Sequence, residues 1–475
     1  MRKYLIISLL FFAKTSFAQS CKCDSIFLQS KQIVKDNYAG WYDKVNSKNL
    51  IDYNNWTTKH YLMSKEITND SVCAKQLQNW ISFFQDKHLR IKYSKPKSNI
   101  NSNIENKKIQ IHSTDLTENQ LTDHLKKTKK LDPIEGIYEN SSYKLAVIQV
   151  KPNLFYATII ETKNENWKAG EVKLTIKKIN KKYVGTFYEG DKSDFSEHNV
   201  QIVDNILDFD IVFYEKTFPI VKTKRDITEY EMSKDKYAPS LKFKENVAIW
   251  KFQSFENNAY EQTEYLLKKY KDKLESTSYW VLDLSNNSGG DYSIGLQLLD
   301  YIYTKPILNY NSEMRMTQSN FEKWYQFIEE YYENADAKTK KALDERMSKM
   351  KAHYGKLYNE SGTQTDTLKL DKVKINPKKI ALLINENTVS SGELFTMVAR
   401  QSNKVEVMGT NSGGMMDYGN IVHYKTNCST IRIQLPTNRQ LWLDTGFSVD
   451  KEGLKPDIYL KGNDWTEQAV KLIKE

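Results

Sequence analysis

The sequence predicts an α/β protein with an N-terminal helical region and an inserted antiparallel β-rich domain. Within residues 77–84 apolar residues recur at steps of three and four, which is one face of a helix. Short apolar runs alternate with turn residues between 133 and 215, as in a small antiparallel barrel or sandwich. From about residue 244 apolar strands alternate with helical segments, which is typical of an α/β core.

The length of the chain predicts several domains. It has 475 residues, and a domain takes roughly 100–200. Changes in sequence texture give the expected divisions: a signal peptide at 1–18, a helical region at 19–98, a β-rich insert at 104–230, and an α/β core at 240–475 with a helical insertion near 313–360. Within the insert, the last predicted strand runs from Ile206 to Tyr214.

The N-terminus has the pattern of a secretory signal peptide. Arg2 and Lys3 precede an apolar run over 4–13, and small residues lead up to a cleavage site after Ala18. A membrane span needs about 20 apolar residues, and this run is much shorter. Lipidation at Cys21 is the other alternative, and it is disfavoured because Gln19 stands where a lipoprotein signal needs a small residue. We expect an exported protein, periplasmic or extracellular, with no stable membrane span.

The charge of the chain disfavours nucleic acid as a partner. The formal net charge is +10, and loss of the three basic residues in the signal peptide would leave 10 − 3 = +7. This charge is spread as lysines mixed with acidic residues, without an arginine block or a basic stripe interleaved with aromatic residues.

The four cysteines favour disulfides over a metal site. All four follow the predicted cleavage site, and an even number in an oxidising compartment favours bridges. Zinc is the alternative, but no histidine stands at zinc-finger spacing. We expect no metal and no cofactor.

Three segments share one pattern, an apolar strand that runs into a polar turn. They are 283–290, 385–393 and 408–414. In open α/β sheets, binding and catalytic residues commonly lie at such strand ends. The sequence therefore places the candidate site at this edge of the core.

Ser390 is the candidate nucleophile within these turns. It would open a helix after a buried strand, where unpaired backbone N–H groups could stabilise an oxyanion. The structural alternative is a capping box, because Glu393 follows three residues later. The Gly289-Gly290 pair has two interpretations as well: it could supply oxyanion donors, or it could only permit a positive φ.

Together the segments resemble the C-terminal processing (tail-specific) and tricorn-core serine peptidases. Four motifs occur in the family's order, and the resemblance covers about 244–460 plus the short motif at 86–88. The matching segments are Asp283–Gly290, Thr388–Glu393, Val407–Gly413 and Glu452–Ile458. The resemblance implies a ClpP/crotonase-like superhelical core, with the β-rich insert standing where processing proteases have a PDZ domain.

Departures from the family pattern select between its branches. Ser285 replaces the usual arginine, and Met415 stands where the Ser/Lys branch has its lysine base. The histidine-using branch is therefore the closer resemblance. His88 in Asp86-Lys87-His88 is similar to its base, although Lys87 replaces a small residue, and Glu452 matches its acidic residue.

The resemblance implies a coherent set of roles. Ser390 would be the nucleophile, His88 its base, and Glu452 the residue that orients or polarises the site. The N–H groups of Gly289, Gly290 or Ser391 would hold the oxyanion. The expected function is hydrolysis of exported proteins or peptides by a serine peptidase. The alternatives are a non-catalytic ligand- or peptide-binding protein on the same fold, and an esterase that uses the same serine.

One disulfide is expected between Cys23 and Cys73. Cys23 precedes the first predicted helix, and Cys73 begins the helix that leads to His88. The resemblance also implies a similar early cysteine in related secreted chains. Two buried free thiols are the alternative. Cys21 and Cys428 then remain as a second candidate pair.

Overall fold

The computed structural model describes residues 21–95, 111–114 and 116–475, and the predicted signal peptide lies outside them. The chain divides into two compact units. One joins Met1–Ser98 to Pro239–Glu475, and the other is Asn99–Ala238.

The predicted N-terminal helical region is confirmed. Its elements are the helices Cys23–Asn37 (α1), Trp41–Lys44 (α2), Leu50–Ser64 (α3) and Asp70–Ile81 (α4), followed by the strand Arg90–Tyr93 (β1). Asn69 caps α4 by accepting hydrogen bonds from the Ser71 and Val72 N–H groups. The apolar face of α4 is fully buried, with Trp80 at 0% exposure.

A short turn connects this helical region to β1. A 3₁₀ turn at Ser82–Phe84 follows α4, and Gln85 then adopts a left-handed conformation with φ 48° that ends the helical path. His88 therefore lies in the junction between a helix and a strand, as the sequence predicts.

The insert is a closed antiparallel barrel of eight strands, which confirms the predicted β-rich domain. Its elements are the helix Glu118–Lys127 (α5), the strands Gly136–Glu139 (β2), Tyr143–Lys151 (β3), Leu154–Thr162 (β4), Val172–Ile179 (β5), Lys182–Tyr188 (β6), Phe195–Val203 (β7), Ile206–Asp208 (β8) and Phe213–Phe218 (β9), and the helix Ile227–Lys234 (α6). Alternate residues such as Leu145 and Val147 fill its interior.

One predicted strand of the barrel is wrong in extent. The sequence predicts one continuous strand from Ile206 to Tyr214. In the structure this segment forms the two strands β8 and β9 around a turn in which Asp210 has φ 63°. Aspartate tolerates this left-handed conformation, and the two short strands pair as a hairpin.

The remaining elements form the α/β core. They are Ser240–Lys244 (β10), Val247–Lys251 (β11), Ala259–Lys269 (α7), Lys271–Ser276 (α8), Tyr279–Asp283 (β12), Tyr292–Leu296 (α9), Leu299–Ile302 (α10), Ile307–Tyr310 (β13), Ser312–Arg315 (β14), Gln318–Asn334 (α11), Ala337–Lys351 (α12), Leu357–Tyr358 (β15), Thr365–Leu368 (β16), Lys379–Ile384 (β17), Ser391–Ala399 (α13), Val405–Gly409 (β18), Tyr418–Lys425 (β19), Ile431–Gln440 (β20), Ile458–Tyr459 (β21) and Trp465–Lys474 (α14).

The central sheet has the order β10-β11-β12-β17-β18-β21. Its strands from β11 to β21 pair in parallel, and β10 adds an antiparallel edge. Both faces are buried: Val281 packs toward Ala469 of α14, while Trp280 on the opposite face stacks near Trp250 and Tyr301. Burial on both faces explains the continuous apolar runs in these strands.

A second sheet brings the N-terminal region to the core. β1 pairs antiparallel with β20, with Arg90 opposite Gln434, and β19 pairs along the same β20. The Gln434 side chain donates to the His88 carbonyl at 3.0 Å. These contacts fix the position of His88 against the core.

Two disulfides hold the N-terminal region in place. The predicted Cys23–Cys73 bridge is confirmed, with a Cα–Cα distance of 5.6 Å, and it joins α1 to α4. Cys21 and Cys428 form the second bridge and tie the start of the described chain to the connection between β19 and β20.

We predict that replacing both Cys23 and Cys73 by serine lowers the free energy of unfolding by about 2–4 kcal/mol, because the bridge closes a long loop in the unfolded chain. Urea unfolding followed by tryptophan fluorescence measures this change. As a control, thiol titration in denaturant should find no free thiol in either protein. Unchanged stability, or two free thiols in the parent protein, would contradict the prediction.

Candidate active site

Three strands of the central sheet end side by side at the predicted site. β12, β17 and β18 are parallel neighbours, so their carboxyl ends lie at one edge. The polar turns that follow them are bonded to one another. The Val389 N–H donates to the Asn287 carbonyl at 3.0 Å, and the Gly413 N–H donates to the Thr388 carbonyl at 2.9 Å.

The glycine pair after β12 lies directly against Ser390. A Cβ on Gly289 would come within 2.8 Å of the Ser390 Cβ, and a Cβ on Gly290 within 2.1 Å of the Phe255 carbonyl oxygen. Both glycines also have positive φ, 83° and 130°. Only glycine satisfies the close approach and the backbone conformation together.

Ser390 occupies a strained turn at the start of α13. Its φ of 55° and ψ of −123° are rare for a residue with a side chain. The Ser390 N–H donates to Glu393 Oε2 at 2.9 Å, which compensates part of the cost of this conformation. The turn presents a half-buried serine at the positive end of a helix.

The Glu393 carboxylate is the hub of the nucleophile turn. It is fully buried and, besides Ser390, accepts hydrogen bonds from Ser412 Oγ at 2.6 Å and from the N–H groups of Gly414 and Met415 at 2.8 and 2.9 Å. Burial raises the pKa of Glu393, and these hydrogen bonds offset only part of that effect. Glu393, the predicted partner of Ser390 in a capping box, therefore also binds the loop after β18.

Two backbone donors beside Ser390 have no acceptor among the described residues. These are the N–H groups of Gly290 and Ser391. The Gly289 N–H, in contrast, donates to Asn287 Oδ1 at 2.9 Å. Of the three residues predicted to hold an oxyanion, Gly290 and Ser391 have a free donor, and Gly289 lies close by with its donor in use.

His88 is a buried histidine held by its own turn. The His88 N–H donates to Asp86 Oδ1 at 2.7 Å, and the other Asp86 oxygen accepts from the Tyr38 hydroxyl at 2.8 Å. His88 is 2% exposed, and its ring nitrogen Nδ1 has no hydrogen-bond partner among the described residues. Burial lowers the pKa of His88, while the Asp86 charge partly opposes that shift.

His88 and Ser390 line one cavity of about 930 Å³. Gly290 and Ser391 line it too, as does Met415, the residue that replaces the lysine base. The structure thus brings together residues from four separate segments of the sequence. A pocket of this size is within the range that binds extended ligands.

Glu452 is not part of this cavity. Its side chain is 63% exposed and pairs with Lys455 at 2.6 Å. The buried acid of the same segment is Asp450, whose Oδ1 accepts from the N–H groups of Met416 and Asp417 at 2.7 and 2.9 Å. Its Oδ2 is enclosed and has no partner among the described residues.

Asp450 and Asp86 are the carboxylates that sequence reasoning did not assign. Burial and the charges of Asp417 and Asp86 raise the pKa of Asp450 to about 7. In the sequence, Asp450 and Glu452 are two acidic residues in one loop. Nothing in the sequence shows that Asp450 is buried and Glu452 is exposed.

The described residues contain one cluster with the geometry of a metal site, Cys21, Asp70 and Cys428. Both cysteines are in the disulfide, so neither thiolate is available to bind a metal. The helices of the described residues are all too short or too polar to cross a membrane.

Comparison with known proteins agrees with this geometry. Residues 246–460 match the model of peptidase family S41. The protein is a serine-type peptidase, a hydrolase. More narrowly, this segment belongs to peptidase family S41, as the four motifs predict. No curated protein sequence matches the chain.

Several solved structures are similar to the chain at low identity. Mature CPAF in complex with lactacystin is 13% identical, with 95% of this chain and 98% of that chain covered and a TM-score of 0.45. A putative peptidase from Parabacteroides merdae is 11% identical, with 96% and 98% covered and a TM-score of 0.45. The photosystem II D1 C-terminal processing protease is 10% identical, with 93% and 94% covered and a TM-score of 0.37.

We predict that Asp450→Asn stabilises the protein more at pH 7 than at pH 5. The pKa of Asp450 is raised in the folded state from 3.8 to about 7. Between these values the unfolded chain releases the proton and the folded chain keeps it, so the parent protein loses up to about 1.4 kcal/mol per pH unit. Asparagine cannot ionise and escapes this loss.

Urea unfolding of the parent and the variant at pH 5 and pH 7 tests this prediction. The matched control is Glu452→Gln, which removes an exposed carboxylate from the same segment and should leave the pH dependence nearly unchanged. Equal pH dependence in the parent and Asp450→Asn would contradict the assignment of a buried, protonated Asp450.

Proposed function

We propose that the protein is an exported peptidase that hydrolyses peptide bonds of exported proteins or peptides, with Ser390 as nucleophile and His88 as base, without a metal or cofactor. One observation carries the proposal. Ser390 stands in a strained turn beside two unpaired N–H groups, in the same cavity as a buried histidine. Acyl transfer needs these three components together.

The reaction follows from these groups. His88 takes the Ser390 hydroxyl proton as the oxygen attacks the scissile carbonyl carbon. The N–H groups of Gly290 and Ser391 stabilise the negative charge on the carbonyl oxygen. His88 then gives the proton to the leaving amine, and an acyl-enzyme remains on Ser390. Water, deprotonated by His88, releases the acid product and restores the serine.

Carboxylates position the base in this proposal. Asp86 accepts a hydrogen bond from the backbone N–H of His88 and interacts with the His88 ring through its charge, which favours the imidazolium formed during the reaction. Asp450 lies close enough to Asp86 for their charges to interact. We assign the acidic role to Asp86 in place of Glu452, because the Glu452 carboxylate is exposed and already paired with Lys455, and because Asp450, with a pKa of about 7, keeps its proton up to neutral pH.

Export is supported by the covalent structure. Two disulfides that join distant parts of the chain fit an oxidising compartment such as the periplasm or the cell exterior. The predicted signal peptide agrees with this location. The substrates are then polypeptides that reach the same compartment.

The two sequence departures do not favour the binding-protein alternative. The Lys87 side chain donates to the Gly413 carbonyl, and Ser285 Oγ donates to Asp283 within its own turn. Neither residue lines the cavity of Ser390 and His88. Both substitutions therefore leave the reacting groups in place.

We predict that Ser390→Ala abolishes peptide hydrolysis and labelling by a fluorophosphonate probe, while the protein stays folded at a cost of about 1 kcal/mol. Labelling with intact-mass detection measures the first effect and urea unfolding the second. Ser288→Ala is the matched control, because it removes a serine hydroxyl from the same cavity without changing a group of the proposed reaction. Labelling of the Ser390→Ala variant would rule out this nucleophile.

A peptide library then distinguishes a peptidase from an esterase.

We predict that kcat/KM rises with pH through a midpoint below 6.5, the ordinary pKa of histidine. Burial lowers the pKa of His88, so the neutral form that accepts a proton persists into mild acid. His88→Ala should lose at least about a hundredfold in rate together with this midpoint. Lys92→Met, which alters a lysine in the same cavity, should keep both. A midpoint above pH 8 that disappears in Lys92→Met would favour a lysine base.

A further inference from the structure

A second chamber of about 700 Å³ lies beside the cavity of Ser390 and His88. One wall is the helical hairpin formed by α11 and α12, which contributes Trp324, Phe327 and Met350. Tyr358, from β15, also lines this chamber. These large apolar side chains have no role in the reaction described above.

The chamber adjoins the catalytic cavity. Asn311, Ser312, Asn420 and Ile421 line both spaces. These four residues form a threshold between them. A polypeptide bound at Ser390 can therefore extend across the threshold into the chamber.

The hairpin that walls the chamber is firmly anchored to the core. Asn320 is fully buried at its base and donates to the carbonyls of Asn37 and Arg315 at 3.0 and 2.6 Å. The Tyr424 hydroxyl donates to the Asn320 side-chain oxygen at 2.5 Å. A wall held by such buried hydrogen bonds is preorganised to receive a ligand.

One aromatic side chain on this hairpin is left largely uncovered by the residues that the structure describes. Phe327 is 77% exposed although it lines the chamber. Trp324, one turn earlier, is half-buried and contacts Phe321 with ring centroids 5.8 Å apart. Exposed aromatic area at the rim of a cavity is the kind of surface that gains most from covering an apolar ligand group.

The charges in the chamber are compensated internally. Arg346 and Glu360 both line it and form an ion pair at 2.6 Å. The other polar lining groups are side-chain amides and hydroxyls, such as those of Asn438 and Ser361. The chamber therefore offers no net charge to a charged ligand, and it offers neutral hydrogen-bonding groups for a peptide backbone.

We propose that this chamber is a specificity subsite that binds a bulky apolar or aromatic side chain of the substrate polypeptide, at a position separated from the scissile bond by the threshold residues. This inference rests on the proposed function of Ser390 and His88. The occupant is the substrate itself, because the chamber shares four lining residues with the cavity where cleavage would occur. Trp324 and Phe327 determine the preference.

Cleavage of a peptide library by the full-length enzyme tests this proposal. The parent should prefer peptides with phenylalanine, leucine or another bulky apolar residue at one fixed position relative to the cleaved bond. Trp324→Ala and Phe327→Ser should lower kcat/KM for those peptides about tenfold or more and leave peptides with alanine at that position nearly unchanged. Tyr331→Ser, one turn beyond Phe327 and 61% exposed, is the matched control and should keep the preference.

Fluorophosphonate labelling of Ser390 distinguishes failure of the subsite from failure of the proposed peptidase activity. The small probe does not reach the chamber, so all three variants should be labelled at the parent rate. Equal labelling together with an unchanged preference would overturn the subsite. A preference for charged residues at the fixed position would also overturn it. Absence of labelling in the parent would instead overturn the proposed function, and the subsite with it.

Discussion

The site depends on one buried carboxylate, that of Glu393. An unpaired buried charge costs several kcal/mol, and this carboxylate stays in place because four donors surround it. One donor is the N–H of Ser390, whose backbone is strained, and the other three come from the loop after β18. The same bonds thus stabilise the nucleophile turn and attach it to its neighbour.

This constraint extends to the base. The loop bound by Glu393 contacts the segment around His88, because Lys87 donates to the Gly413 carbonyl and Arg90 donates to the Met415 sulfur at 3.7 Å. From the other side, pairing of β1 with β20 and the Cys21–Cys428 bridge hold the N-terminal region against the core. Base and nucleophile therefore come from separate parts of the chain whose relative position is fixed by a few polar contacts.

Local patterns in the sequence predicted the elements and the ends of the strands well. Burial on both faces makes β12 and β17 continuous apolar runs, and the polar turns after them are visible without a structure. His88 was placed correctly at a helix-to-strand junction, since Ser82–Phe84 ends one element and β1 begins the next. These features depend on neighbours in the sequence.

Contacts between distant segments were beyond such patterns. The spacing of Ser390 and Glu393 predicts a local helix cap. The hydrogen bonds of Glu393 to Ser412 and Gly414, however, form only in the folded core. Asp450 and Glu452 are two residues apart in a loop without periodicity, so only tertiary packing determines which of them is buried.

The central claim is that Ser390 and His88 act as a pair, and the distance between the Ser390 Oγ and the nearer ring nitrogen of His88 in a crystal structure of the enzyme tests it most directly. The account predicts a separation of about 3 Å, somewhat longer without substrate. A separation beyond about 8 Å, with no hinge able to close it, would contradict the account.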